Sequence, residues 1–180
     1  MTVLKDADGH ERMFAAYAKI RPPLAVYRRG ICVWNDERNE FEHVAEFPVD
    51  APLMPFGHPQ RITLEDGDYI VFGDPFPTKR VRATPEALLD LSRYDGFSPL
   101  VAGSNVADRL VDRNADGQVI YTWKRGTPPL SVAQEAEWVR AGLLPSSAAK
   151  WQLVDAATSK PVEAHRGSVR WNDFRRKWIL

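Results

Sequence analysis

The chain has 180 residues, 44% of them hydrophobic and 27% charged, which fits one globular domain with a real core and excludes disorder. Its 24 basic and 24 acidic side chains cancel, so no electrostatic footprint for nucleic acid or an anionic membrane exists. A single cysteine, Cys32, excludes an internal disulfide and any CxxC metal or redox motif.

The N-terminal segment, 1–48, reads as four strands. Thr2–Lys5 and Arg12–Ile20 flank an Asp-Ala-Asp-Gly turn in which Gly9 supplies the positive φ of a tight hairpin. Pro22-Pro23 breaks the chain, Leu24–Trp34 is a third strand, 35–39 has turn chemistry, and Phe41–Phe47 returns. Cys32 lies between Ile31 and Val33, which predicts a buried strand thiol and not a nucleophile. Residues 48–55 read as a crossing linker.

A second unit begins at 57, with strands near 60–65 and 68–73. Thr84 as N-cap with Pro85 behind it predicts a helical stretch over 84–92. Strand pieces follow at Phe97–Ala102, Val106–Asp112 and Gln118–Lys124. Ser131 with Gln134 forms a capping box for a second helix over 131–144. Trp151–Val154 and Pro161–Ala164 flank a polar turn, and a last hairpin starts near Gly167. Recurring hairpins with Asp-Gly or Asn-Asp turns predict an all-β meander with two short inserted helices; a Greek-key sandwich is the alternative. The last hairpin runs to Leu180, which makes the chain an expected slice of a longer protein, treated as a single domain with blade-like units at about 1–48, 57–125 and 165–180.

Gly-His-Pro at 57–59, the run 65–77 and the closing segment 165–180 resemble the hairpins of the five-bladed β-propeller glycosidase-like superfamily, which includes glycoside hydrolase families 43, 32, 68 and 130. The resemblance implies antiparallel four-stranded blades around an axial funnel. It also implies a carbohydrate-active protein that hydrolyses or binds a glycan there, with non-catalytic glycan or protein binding as the alternative. Five blades need roughly 300 residues, so the chain would be an incomplete propeller. By the same analogy, inner-strand starts place His58, Arg61, His165, Arg166 and Ser168 in the funnel.

The family opens its first blade on an Asp-Pro pair, where this chain has His58-Pro59. Asn35-Asp36 is similar to the Asn-Asp-Pro-Asn element of fructosidases, but Glu37 follows and the pair sits on an outer hairpin. Hydrolysis needs two carboxylates across the scissile bond. Asp74 and Asp36 are the candidates, and neither is assigned the nucleophile role. Asp112, Asn114 and Asp116 match the start of a Ca²⁺ loop, but Trp123 stands where its bidentate Glu belongs, and a hairpin turn is the plainer reading. Six tryptophans are candidate sugar platforms; Trp171 and Trp178 fit cross-strand packing better. The N-terminus has no signal-peptide pattern, and no apolar run approaches the ~20 residues that span a bilayer. A Met1 that is the true start implies a cytoplasmic protein; a slice leaves secreted or periplasmic placement open.

Overall fold

A computed structural model describes residues 1–164 and 166–180. Four strands follow one another through the N-terminal segment: β1 (Thr2–Lys5), β2 (Glu11–Arg21), β3 (Ala25–Asn35) and β4 (Glu40–Phe47). They pair antiparallel in chain order, forming sheet A. Phe14 stands opposite Val33, and Ile31 opposite Ala45, so one face of the sheet is apolar. Cys32 is buried on the other face, its thiol donating to the Ala15 carbonyl at 3.3 Å. Burial pushes that thiol up, away from nucleophilic use.

Sheet B is a five-stranded antiparallel meander: β5 (Gln60–Leu64), β6 (Gly67–Gly73), β7 (Pro77–Arg82), β8 (Asp95–Ser98) and β9 (Thr122–Arg125). Strand β7 corrects the sequence reading, which ran from the 74–79 segment directly into a helix. Two prolines and a basic run hide the strand; Val81, fully buried, is its one strong apolar mark. Helix α1 (Pro85–Leu88) is capped by the Thr84 side chain, and a 3₁₀ turn over Leu91–Arg93 completes the expected helical stretch. A second correction falls at 106–112, expected as strand. Asn105 accepts from the backbone N–H groups of Ala107 and Asp108, and this box winds Val106–Asp108 into a 3₁₀ turn.

Helix α2 (Val132–Arg140) has the Ser131–Gln134 box, with Gln134 N donating to Ser131 Oγ at 3.2 Å and Ser131 N donating to Gln134 Oε1 at 2.9 Å. Two small hairpins follow, β10 (Leu153–Val154) with β11 (Pro161–Val162) and β12 (Arg170–Asn172) with β13 (Lys177–Ile179). The described residues are mostly β with two short helices. Among the described residues no helix is long and apolar enough to cross a membrane.

Two cores hold these elements. The larger joins Leu4, Phe14, Ile31 and Phe47 of sheet A to Ile70, Phe72 and Val81 of sheet B through Leu53 and Met54 of the linker. Each such side chain contributes about 1.5–3 kcal/mol by leaving water. The smaller gathers Leu100, Leu130, Trp138 and Leu144 around α2.

Candidate functional site

A cleft of about 360 Å³ opens where the linker, the β6–β7 corner and the start of α2 meet. Pro52 and Phe56 come from the linker, Asp74 and Phe76 from the corner, Thr78 and Lys79 from β7, Ser131 and Gln134 from the capping box, and Trp151 from the segment after α2. Phe76 and Trp151 stack with centroids 4.9 Å apart, while Phe56 stands half exposed at the rim. An apolar wall with a few polar groups is the usual composition of a small-molecule site.

Trp151 is held by a buried charge. Glu135, on α2, has no solvent exposure. Its carboxylate accepts from the backbone N–H of Lys150 and of Trp151, each at 2.8 Å, from Gln152 Nε2 at 3.1 Å and from the Tyr121 hydroxyl at 3.2 Å. Burial and then the Glu135 charge push the Tyr121 hydroxyl far up, so it stays a protonated donor. The edges of Phe97 and Tyr121 meet the Trp151 ring at 6.0 and 6.2 Å.

Lys79 is the cleft's cation. Its ammonium donates to the Met54 carbonyl at 3.0 Å and has no carboxylate within ion-pair distance among the described residues. Burial, and secondly the Arg29 guanidinium, push it down to about 8. Every other basic residue of the sheet B strands is paired: Arg61 with Asp68, Arg80 and Arg125 with Asp95, Arg82 with Asp66, and Lys124 with Asp112.

Asp74 lines this cleft, and its Oδ1 accepts from Gly167 N at 2.9 Å, tying the C-terminal segment to the corner. The backbone N–H of His58 donates to Gly73 O at 3.3 Å, so the His58 loop and the 166–168 segment both abut the same corner. Gly57 has a φ of 87°, and a Cβ there would collide with Gly73 O; only glycine lets the loop approach so closely. His58 and Arg166 are exposed and Ser168 is half buried. His165 lies outside the described residues. Arg61 is drawn away, its guanidinium donating to Asp68 at 2.5 and 3.1 Å on a different surface that it shares with Arg82, Arg93 and Arg125. Asp36 sits in the β3–β4 turn and accepts from Trp34 Nε1 at 3.1 Å; it does not line the cleft. Asp74 is therefore the one carboxylate lining the cleft among the described residues.

Two of the Ca²⁺-loop side chains, Asp112 and Asn114, are spent on internal bonds. Asp112 meets the Lys124 ammonium at 2.8 Å, and Asn114 Oδ1 accepts from Asp116 N and Gln118 N at 3.1 and 2.8 Å. The first turn of the chain is built alike: Asp6 Oδ1 accepts from Asp8 N and His10 N at 3.1 and 2.9 Å, with Gly9 and Gly117 at φ 84° and 76°. That turn brings carboxylate and imidazole atoms of Asp6, Asp8 and His10 within 4.8 Å of one another, with Asp8 and His10 exposed.

Sequence reasoning named Trp151 only as one of six tryptophans, and it passed over Lys79, Phe76 and Glu135. Glu135 carried a signal, an acidic residue on the apolar face of α2 four positions after its cap. No protein-family model matches the chain, and no curated protein or solved structure matches it at a significant level.

Proposed function

We propose that the chain is a non-catalytic β-module that binds a glycan in the cleft bounded by Phe56, Phe76 and Trp151. The observation that carries this reading is the aromatic wall set beside hydrogen-bonding groups of both kinds, Asp74 as acceptor and Thr78, Gln134 and Lys79 as donors. Sugars present apolar ring faces and hydroxyl edges, and this composition suits both. The single carboxylate lining the cleft among the described residues favours binding over hydrolysis, which requires two roughly 5–10 Å apart. Sheet A, a four-stranded meander, supports the further reading that the units are blades of a propeller glycosidase-like protein.

Titration of tryptophan fluorescence with soluble oligosaccharides tests the reading. Saturable quenching that Trp151→Ala removes is the expected result. A panel with no saturable member overturns it, and release of reducing sugar that Asp74→Asn abolishes replaces binding with hydrolysis.

A further inference from the structure

We propose that the cleft selects an anionic saccharide, whose carboxylate or sulfate group docks on Lys79. The proposal rests on the glycan reading of the same cleft and names the class of sugar it takes.

Sheet B neutralises its other strand cations internally, even at the rim: Arg61, Arg82 and Arg125 are each more than two-fifths exposed and still meet carboxylates. Lys79 is more enclosed than these and is left with a carbonyl. An ammonium held away from water without a counter-charge is costly, and folds that retain one commonly use it. The Arg29 guanidinium deepens the deficit. Arg29 donates from one terminal nitrogen to Val49 O at 2.9 Å, while its Nε is buried with no partner. Lys79 and Arg29 thus hold the two ends of the 49–54 linker, two positive charges with unused donors and, among the described residues, no acidic group in ion-pair contact. Asp74 also lines the cleft and lies beyond ion-pair distance of Lys79, free to accept from sugar hydroxyls with its second oxygen. A sugar unit carrying both an anion and hydroxyls satisfies both ends at once. A charge-assisted bond to a carboxylate or sulfate oxygen is roughly twice as strong as a neutral one.

The test is calorimetry on the full chain with three trisaccharides: trigalacturonate, its methyl ester and a sulfated trigalactoside, with citrate as a sugar-free anion. Trigalacturonate is expected to bind at least tenfold more tightly than its neutral ester, with that ratio falling as salt rises. Lys79→Met is expected to bring the two to equal affinity while Lys79→Arg keeps the preference. Tight binding of the sulfated sugar, lost in Lys79→Met, also supports the assignment and identifies sulfate as a second source of the anion. Equal affinity for acid and ester in the wild-type chain overturns the proposal, as does a preference that survives Lys79→Met. Citrate binding that Lys79→Met abolishes, with no saccharide bound, keeps the anion site and removes the glycan reading.

Discussion

The two cores of this chain are built on different chemistry. The larger is apolar almost throughout, with Ile70 and Val81 fully buried between the sheets among apolar side chains of both. The smaller has few large side chains, and its surroundings are fastened by buried charges: Glu135 under the 150–152 segment and Lys124 under 100–120. Lys124 donates to Leu100 O at 2.5 Å and Ile120 O at 3.1 Å besides its bond to Asp112. A core of the first kind tolerates volume-conserving exchange, whereas one of the second fails when a single partner is removed. The cleft lies against the second kind, since Glu135 positions Trp151.

The largest effect is expected of Glu135→Ala. It removes the acceptor of two backbone N–H groups, the Gln152 amide and the Tyr121 hydroxyl, and the expected loss is about 3–5 kcal/mol in urea unfolding. Hydrogen exchange should show 128–152 opening while sheet A keeps its protection. Uniform loss of protection across sheet A would mean that the two cores unfold as one unit. In the apolar core, Ile70→Ala is expected to cost about 2–4 kcal/mol, and Ile70→Val about 1. A graded response there, against an abrupt one at Glu135, is what the two chemistries imply.

Lys79 reverses the usual direction. Its folded value of about 8 lies below the ordinary 10.5. Below pH 8 both states hold the proton and the folded chain bears the full penalty. Between about 8 and 10.5 the unfolded chain holds more protons, so stability rises with pH across that window. Lys79→Met should remove the rise and stabilise the chain at pH 7 by up to about 3 kcal/mol. A thermal unfolding series at pH 7, 8, 9 and 10 reads both effects; an unchanged slope in the variant assigns the rise to another group.

Sheet A was legible because Leu4, Phe14, Ile31, Val33 and Phe47 repeat the alternation of a half-buried strand between turn signals. Helix α2 was legible from its capping box. Strand β7 was not, because Pro75 and Pro77 punctuate its start and its cations read as surface. The cleft was not legible either. That Arg61 has a carboxylate partner and Lys79, among the described residues, has none is decided by which strands stand side by side, and no local pattern encodes it.

One further contrast was present in the sequence and shows only when the hairpins are superposed by residue. Trp34-Asn35-Asp36-Glu37-Arg38 and Trp171-Asn172-Asp173-Phe174-Arg175 share the pattern Trp-Asn-Asp-x-Arg, and they fold alike. Each indole donates to the Asp two residues on, at 3.1 and 3.0 Å, and Asn39 and Arg176 take the left-handed conformation at φ 52° and 49°. Asn35 Oδ1 accepts from Arg38 N at 3.1 Å and Asn172 Oδ1 from Arg175 N at 2.8 Å. Trp34 meets Phe41 edge-on at 5.1 Å, as Trp171 meets Trp178 at 5.6 Å. What differs is the setting. The first hairpin continues into a four-stranded sheet, whereas the second is a two-stranded ribbon with both tryptophans about half exposed. The same lost turn bond should therefore register differently. Asn35→Ala is expected to lower global stability by about 1 kcal/mol, because its hairpin folds with sheet A. Asn172→Ala should leave the global midpoint within about 0.5 kcal/mol and instead weaken the near-ultraviolet circular dichroism of the Trp171–Trp178 pair, since an isolated ribbon is only marginally stable. Equal losses from the two substitutions would show that the C-terminal hairpin is as firmly docked as the N-terminal one.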